Sequence, residues 1–430
     1  MSLAFWTLVG VFAGGALLRV PIAHAMFASG LCYLMVKGQD IGLIVDQVLS
    51  TMLTMYVLLA IPMFILAANL MNAATISERL WSAASAMVGR MRGGLGHVSI
   101  LVSVAFSSMS GSAVSDAAGP GLVSVRMMRD VAKYPPGFSV ALVAAAATIA
   151  PVIPPSIAMV IYALLSKASV GALFLGGVIP GFMMAVGLMI AVAIAARRLN
   201  LPHGEIITLR EVPCRLARAA IPMTLPAVLL GGIWGGFFTP TEAAAIAAFY
   251  SLVLGTVVYR RIGRKQFLAV IHDSVHASST VMLLVAGAFI VNYAITSEQL
   301  ADRFAQLFVA GKLTKLEFLL LVNVAFLVLG CFLDTAVLLL VFIPVLLPAA
   351  RALDVNLVHF GVVATVNFMI GMITPPYGLL LFVMSSLLKI PIGEIVRSIW
   401  QFLIPLVVAL FLMVIFPDTV TWLPRQFGLE

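Results

Sequence analysis

The sequence predicts an all-α polytopic membrane protein made of two inverted repeats, each with five spans, one of them broken, and a re-entrant helical hairpin. The first observation is composition: 62% of the 430 residues are hydrophobic and only 10% are charged, whereas about 25% are charged in soluble domains. The second is an internal repeat at half the chain length. The third is the distribution of Lys and Arg along the chain.

Apolar runs that cross a bilayer as a helix need roughly 20 residues. The N-terminal run has no basic segment before it and no cleavage site after it, so we expect a retained span. Cys32, Cys214 and Cys331 are scattered and indicate neither disulfides nor a metal site. The basic residues fall between apolar runs and do not indicate a nucleic-acid partner. The predicted spans lie near 3–18, 22–36, 56–72, 170–196, 223–238, 243–259, 278–294 and 400–416.

Three short matches recur in the same order about half a chain apart. LVSVAF at 101–106 returns as LVNVAF 220 residues later, and SERL at 77–80 returns as SEQL at the same offset. IPPS at 153–156 matches TPPY 221 residues later. A common offset predicts two copies of one structural unit.

An odd number of crossings in each copy inverts the second copy relative to the first. With the N-terminus in the periplasm, the C-terminus is also periplasmic, and 18 of the 25 Lys and Arg residues are cytoplasmic, as the positive-inside rule requires. Inverted repeats are typical of secondary transporters, whose sites lie at the repeat interface. The seven outer basic residues are Lys37, Lys167, Arg303, Lys312, Lys315, Arg351 and Arg425.

The segment SSMSGSAVSDAAGPG at 107–121 places a polar, flexible sequence after an apolar run that is too short to cross. Irregular backbone at membrane depth is stable only where it is buried in protein or lines a cavity. We therefore predict a hairpin that turns at Ser108–Ser112 and returns through 113–130. Its hydroxyls and carbonyls suit a small cation, and its helix N-terminus near Asp116 suits an anion. Close packing of small residues is the alternative, above all at Ala113, Ala117 and Ala118.

The second copy has a matching hairpin, in which FLLLVNVAFLVLG leads into CFLDTAVLLL. Gly330, Asp334 and Thr335 occupy the place of the first tip. Three more residues separate VAF from AV in this copy than in the first, so the two tips should differ in shape.

Each copy then places a Pro–Pro pair inside an apolar run, in ATIAPVIPPSIAM and IGMITPPYGLL. Proline removes an N–H and clashes with the carbonyl four residues back, which predicts a broken helix in each copy. Freed carbonyls around Ala150–Ile153 and Gly371–Ile373, with the Ser156 and Thr374 hydroxyls, are able to coordinate an ion. A packing kink is the alternative.

These motifs resemble the large membrane subunit of tripartite ATP-independent periplasmic (TRAP) transporters. The resemblance rests on GGIWGGFFTPTEAAAIAAFYSLVLG at 231–255, SGSAVSDAA at 110–118, PPSI at 154–157 and TPPYG at 374–378, and it covers essentially the whole chain. It implies secondary uptake of an organic acid, a carboxylate or sugar acid, across the bacterial inner membrane, coupled to Na⁺. It also implies a periplasmic substrate-binding protein and a small four-span membrane subunit as partners. The fold implied is similar to elevator-type ion transporters.

By matching motif positions, the resemblance also implies binding residues, with sodium and no transition metal. A first sodium site falls at Ser110, Ser112, Ala150, Val152 and Pro154, and a second at Gly330, Gly371 and Thr374. Substrate or coupling roles fall to Ser108, Asp116, Ser156, Asp334, Thr335 and Tyr377.

Two positions depart from the family pattern, in which small or aliphatic residues are expected. Gly119–Pro120 is expected to shorten the first turn of the returning arm. The phenol of Tyr377 is expected to contact the substrate or narrow the pocket, which leaves the substrate open.

We expect scaffold spans and an arm in 1–92 and again in 221–312. A hairpin and broken helix, which together form the transport domain, are expected in 93–196 and again in 313–430. A basic cytoplasmic connector is expected in 197–220. The arms, at 41–55 and 260–276, are amphipathic and are expected to lie along the membrane lipid surface.

Other functions fit part of the pattern. An intramembrane aspartyl protease uses two carboxylates, but here the acids follow hairpin tips instead of lying in two ordinary spans. A channel or proton-coupled antiporter of the same architecture stays open, as does a sodium- or proton-coupled anion transporter that needs no binding protein. His272 and His276 share a helix face, but a zinc site needs at least one further ligand.

Overall fold

The structure, a computed structural model, describes residues 2–202 and 210–429, and all regular structure within these ranges is helical. The first half contains ten helices. They are α1 (Leu3–Leu17), α2 (Ile22–Lys37), α3 (Gly42–Thr54), α4 (Tyr56–Ala73), α5 (Ile76–Val88), α6 (Gly94–Ser110), α7 (113–131), α8 (Pro136–Ala147), α9 (Ile157–Ser166) and α10 (Val170–Arg198).

The second half repeats this order, except that one long helix, α13, takes the place of α3 and α4, and it adds one short helix at its end. Its helices are α11 (Val212–Trp234), α12 (Pro240–Val258), α13 (Arg264–Ser297), α14 (Leu300–Ala310), α15 (Lys315–Gly330), α16 (Thr335–Ala352), α17 (Leu357–Gly371), α18 (Leu379–Leu388), α19 (Ile392–Ile415) and α20 (Asp418–Gln426). Helices α15 to α19 begin 221 or 222 residues after α6 to α10, which agrees with the repeat predicted from the sequence.

Seven helices among the described residues are long and apolar enough to cross a membrane, namely α4, α10, α11, α12, α13, α16 and α19. The chain is therefore a multi-pass membrane protein. Three spans begin well before their predicted starts: α11 begins at Val212, α13 at Arg264 and α19 at Ile392. A helix can continue past the hydrocarbon region because its backbone remains hydrogen-bonded while side chains such as Arg215 reach the aqueous interface.

The two predicted arms differ in structure. The first arm is a separate helix, α3, that ends where Met55 leaves helical geometry. The second arm is not separate, because α13 runs without a break from Arg264 to Ser297 and no Gly or Pro interrupts it near residue 276. The connector predicted at 197–220 is helical at both ends, and its residues 203–209 lie outside the described ranges.

The two halves pack on each other reciprocally. Helix α2 of the first half packs on α13 of the second, and α12 of the second packs on α4 of the first. Gly30 permits the first contact, because a Cβ there would lie 2.2 Å from Ile290 Cγ2. In the same way, α8 of the first half packs on α19 of the second, and α17 of the second packs on α10 of the first.

The equivalent helices α10 and α19 run antiparallel. Gly187 of α10 faces Pro405, whereas Gly176, three turns earlier in α10, faces Val420 beyond the end of α19. Antiparallel equivalent helices are what an inverted repeat predicts. Between them lie α8 and α17, which are apolar and buried on nearly every face, as helices at the centre of a bundle are.

One charged cluster joins α1, α2 and the end of α13. The Glu298 carboxylate, 9% exposed, accepts hydrogen bonds from the Ser2 hydroxyl at 2.7 Å and the Tyr33 hydroxyl at 3.2 Å, and pairs with Lys37 at 3.3 Å. The bond from Ser2, aided by Lys37 and Tyr33, lowers the pKa of Glu298 to about 2.

Replacing Glu298 with Gln should destabilise the protein by about 2 kcal/mol at pH 7, since the hydrogen bonds to a charged carboxylate are lost. A pKa lowered by folding gives stability that is complete above the ordinary Glu pKa and lost as pH falls toward 2. The difference in unfolding temperature between wild type and Glu298→Gln in detergent should therefore shrink between pH 5 and pH 3. Asp302→Asn, which removes an exposed acid of α14, is the matched control. A difference that is constant with pH would contradict the account.

Candidate functional site

The first hairpin turns as the sequence predicts. Helix α6 ends at Ser110, Gly111 adopts a φ of +61°, and Ser112 caps α7 by accepting the Ser115 N–H at 3.5 Å. A Cβ on Gly111 would lie 2.5 Å from the Pro155 carbonyl oxygen, so both its φ and its surroundings require glycine. The tip therefore packs directly on the first broken helix.

The returning arm differs from expectation at Gly119–Pro120. It is not shortened, because the helix continues through 117–121 as a π-helical turn. Proline has no N–H to donate, and a widened turn accommodates this position. Gly119 itself adjoins the scaffold: a Cβ there would lie 2.4 Å from Asn72 Oδ1.

The second hairpin closes on the second broken helix through two glycines. A Cβ on Gly371 would lie 2.7 Å from the Gly330 Cα, so the backbones of α15 and α17 are in direct contact. Asp334 caps α16 by accepting the Ala336 N–H at 2.8 Å. The Gly378 N–H donates to the Cys331 carbonyl at 3.2 Å and ties the tip to the residues after the break.

Both Pro–Pro pairs interrupt their helices. Residues 148–156 separate α8 from α9 and are all buried, and residues 372–378 separate α17 from α18. The Ser156 hydroxyl donates to the Pro151 carbonyl and accepts the Met159 N–H at 3.2 Å, so it caps α9. The Thr374 hydroxyl donates to the Ile370 carbonyl at 2.7 Å.

A cavity of about 690 Å³ lies where these elements meet. One wall is the scaffold helices α4 and α13, and the other consists of the two hairpin tips and the broken helices. Of the predicted residues, four line it: Ser110, Ser112, Asp334 and Thr335. They come from both copies, so the repeats build one shared cavity.

Three residues with predicted substrate or coupling roles do not line this cavity. Tyr377 is 44% exposed and stacks on Phe382 with ring centroids 4.8 Å apart, because the backbone after the break directs it away from the cavity. Ser156 does not line the cavity, since its hydroxyl caps α9. The Ser108 hydroxyl donates to the Ala105 carbonyl at 2.7 Å within its own helix.

Asp116 is enclosed in protein and also does not line the cavity. Neither of its oxygens has a hydrogen-bond partner at standard geometry among the described residues, and the Ser103 hydroxyl is the polar group directed toward it. Asp334 has a different environment, as a helix cap at the cavity wall. The two acids are therefore not equivalent, although both follow hairpin tips.

The residues of the first predicted sodium set have different surroundings. The Ser110 hydroxyl is buried and has no hydrogen-bond partner among the described residues, as an oxygen reserved for a cation would be. The Val152 carbonyl, however, lies against Gly177 of α10, where a Cβ would approach it to 2.1 Å. In the second set, Gly330 and Gly371 are in contact and the Thr374 oxygen can still accept or coordinate.

The part of the cavity wall formed by the scaffold was not predicted from the sequence. Asn69 and Asn72 of α4 and Thr280 of α13 line the wall opposite the tips. The Asn69 amide donates to Ser274 Oγ at 2.9 Å, and the Asn72 amide donates to Ser115 Oγ at 3.4 Å. The signal was present, since two amides three residues apart in the apolar run of α4 share one helix face.

Hairpins and broken helices that converge on one cavity define a membrane transport protein, and comparison with known proteins agrees. The family model for the tripartite ATP-independent periplasmic transporter, DctM component, matches residues 9–419. The chain therefore belongs to this family of TRAP transporter large permeases.

Named relatives span nearly the whole chain. The sialic acid TRAP transporter large permease SiaM of Vibrio cholerae is 38% identical over 97% of this chain and 96% of its own length. The 2,3-diketo-L-gulonate TRAP transporter large permease YiaN of Escherichia coli is 34% identical over 96% of this chain and 97% of its own. The C4-dicarboxylate permease DctM of Pseudomonas aeruginosa is 36% identical over 87% and 88%. All are named as transporter permeases, so the chain is a transport protein and not an enzyme.

The fold also has a solved counterpart outside close sequence relatives. The Alcanivorax borkumensis YdaH transporter, whose structure was described as an unusual topology, superposes with a TM-score of 0.61 over 96% of this chain and 98% of that one. The sequences are 17% identical, so this match concerns the fold.

Replacing Gly371 with Ala should separate the second hairpin from its broken helix, because the new Cβ would lie 2.7 Å from the Gly330 Cα. We expect uptake by reconstituted protein to fall at least tenfold while folding in detergent persists. Gly393→Ala is the matched control, as no atom lies within 4 Å of a Cβ there. Equal uptake by the two variants would show that the glycine contact is dispensable.

Proposed function

We propose that this chain carries out sodium-coupled secondary uptake of an organic acid across the bacterial inner membrane by an elevator-type alternating-access motion. The observation that carries the proposal is the cavity of about 690 Å³ where both hairpin tips and both broken helices face scaffold helices α4 and α13. A substrate bound there would contact both the hairpins and broken helices, which would move, and the scaffold helices, which would stay fixed.

The tips offer groups for an anion. Residues 110–115 and 334–336 line the cavity, so the first turns of α7 and α16 adjoin it. Backbone N–H groups at a helix N-terminus favour a carboxylate. The Ser112 hydroxyl, which caps α7, adds a donor without adding charge, whereas the cap of α16 is the Asp334 carboxylate.

Sodium coupling is supported by the oxygen-rich surroundings of both tips. The buried Ser110 hydroxyl would contribute to a first sodium site. Thr374, with Gly330 and Gly371, would form a second sodium site. A bound sodium ion would supply positive charge beside the substrate carboxylate. Occupancy of either site would fix a hairpin against its broken helix.

The elevator motion and the inverted topology have structural support. Helices α10 and α19 are antiparallel, and the reciprocal packing of the halves fits a two-fold axis in the membrane plane. Within the described residues, polar contact between the scaffold and the first hairpin is limited to Asn72 and Ser115 at 3.4 Å. A single long hydrogen bond presents little resistance to sliding.

Partners follow from the family. The relatives are named as large permeases of TRAP transporters, so we propose a small four-span membrane subunit on the scaffold and a periplasmic binding protein above it. The N- and C-termini are proposed to be periplasmic. A binding-protein-independent transporter with sodium or proton coupling is the alternative.

Reconstitution separates these functions. We expect proteoliposomes with this chain, its small partner and the candidate binding protein to accumulate substrate only with an inward sodium gradient. The comparison set omits either the gradient or the binding protein. Uptake that needs sodium alone would favour the binding-protein-independent alternative, and uptake driven by a proton gradient without sodium would contradict sodium coupling.

Replacing Ser110 with Ala should raise the sodium concentration for half-maximal uptake, roughly three- to tenfold, because one coordinating oxygen is lost. Combining it with Ser112→Ala should raise the concentration further, although part of that effect is loss of the α7 cap. Ser99→Ala removes another buried, unpartnered hydroxyl from the same helix, far from the cavity, and is the matched control. An unchanged sodium dependence with normal expression would exclude Ser110 from the site.

A further inference from the structure

A second concave surface lies on the outside of the helix bundle, between α10 and α19. This groove has a volume of about 830 Å³, and none of its described lining residues belongs to the cavity at the hairpin tips. Phe182, Ile190 and Ile404 line the groove, and each is more than half exposed. Both helices are long and apolar enough to cross a membrane. A groove between their outer faces therefore opens toward the bilayer.

The polar side chains of the groove are confined to one end. Among its described lining residues, only Arg198 and Gln401 have polar side chains. They lie at the same end because α10 ends at Arg198 and the antiparallel α19 begins at Ile392. Arg397, four residues before Gln401, shares its helix face and adds a second exposed cation, with Glu394 nearly one turn further out. Within the described residues, neither arginine takes part in an ion pair.

The length of this end of the groove matches one leaflet of a bilayer. Helices α10 and α19 are in contact at Gly187, where a Cβ would lie 3.1 Å from Pro405 Cβ. A rise of 1.5 Å per residue places Arg198 about 16 Å from Gly187 along α10. That distance is close to half of the hydrocarbon core, which is about 30 Å thick. Acyl chains that begin at Arg198 would therefore end near the point where the helices meet.

The groove combines an apolar length with a cationic end, which fits an amphiphile with an acidic head. A guanidinium forms paired hydrogen bonds with phosphate oxygens, and a Gln amide donates one more. Basic pockets between membrane helices on the cytoplasmic side bind anionic lipid headgroups, and Arg198 lies on that side in the topology proposed above. A lipid can also follow α10 and α19 in the proposed motion, whereas a helix of a fixed partner subunit cannot.

We propose that the groove between α10 and α19 binds an anionic phospholipid of the cytoplasmic leaflet, with its phosphate at Arg198 and Gln401 and its acyl chains along the groove. Because α10 and α19 are equivalent helices of the two copies, the bound lipid contacts both copies and stabilises their packing. The site is separate from the cavity at the hairpin tips. Its occupancy depends on neither the cargo nor the coupling ion.

The test is lipid-dependent stabilisation of the purified chain after lipid removal in detergent. Unfolding temperatures are measured over a concentration series of phosphatidylglycerol or phosphatidylethanolamine with the same acyl chains. We expect half-maximal stabilisation by phosphatidylglycerol at a concentration at least fivefold lower, since each cation near an anionic lipid contributes a factor of about five. sn-Glycerol 3-phosphate, an acidic head without chains, should not stabilise the protein at these concentrations.

Each of the other outcomes contradicts a part of the proposal. Equal concentrations of the two lipids for half-maximal stabilisation would exclude an anionic site. Stabilisation by sn-glycerol 3-phosphate that matches the effect of the lipid would assign Arg198 to a free anion and remove the groove from the site.

Two neighbouring arginines separate a built site from general surface charge. Arg198→Gln should reduce the preference for phosphatidylglycerol about fivefold. Arg197→Gln is the matched control, because it removes the same charge from the adjacent exposed residue, which does not line the groove. Native mass spectrometry should show one phosphatidylglycerol retained by wild type and Arg197→Gln and lost from Arg198→Gln. Equal losses in the two variants would mean that only surface charge attracts the lipid.

The same variants distinguish a lipid from a protein occupant. We expect Arg198→Gln to co-purify with the small membrane subunit in the same amount as wild type. Loss of that subunit from Arg198→Gln, with no lipid preference in the wild type, would assign the groove to a partner helix and overturn the proposal.

Discussion

The structure depends on one constraint, that irregular backbone in the membrane must be enclosed by protein. The unwound segment 148–156 carries three prolines, and every residue in it is buried. The enclosing groups are specific: Gly177 lies against the Val152 carbonyl, and the Ser156 hydroxyl bonds to the Pro151 carbonyl. The hairpin tip at Gly111 covers the same segment from the other side. Without these contacts the break would expose unpaired carbonyls to lipid.

The same constraint explains why the cavity lies where it does. The irregular backbone of a helix break and that of a hairpin tip can enclose each other only where the two meet. Each copy brings its own pair together, at Gly111 with Pro155 and at Gly330 with Gly371. Inversion then turns the two pairs toward each other. The Ser110 hydroxyl has no hydrogen-bond partner among the described residues after this contact is made, and Ser110 lines the cavity.

The sequence was sufficient for the elements that follow from solvation and covalent chemistry. Proline pairs in apolar runs predict broken helices, and a Ser–Gly segment after a short apolar run predicts a hairpin, because neither has another stable state in lipid. Side-chain direction was not predictable in this way. Tyr377 stacks outside on Phe382 and Asp116 is enclosed away from the cavity, because the local backbone orients them. The scaffold wall was missed for a related reason: Asn69 and Asn72 belong to an ordinary span that becomes part of the site only through tertiary packing.

The two copies differ in where their hairpins place an acidic side chain. Asp334 sits at the cavity wall as the cap of α16, whereas Asp116 is the fourth residue of α7 and is enclosed behind its tip, so the two acids occupy different positions in their hairpins. The first tip adjoins the scaffold through Gly119 and Asn72, and the second adjoins its own broken helix through two glycines. The first tip also adjoins its own broken helix, through Gly111 and Pro155, and the second hairpin also packs on a scaffold helix, α14. The two copies therefore join the same kinds of elements and differ in the acid that they present, because the cavity wall carries Asp334 and not Asp116.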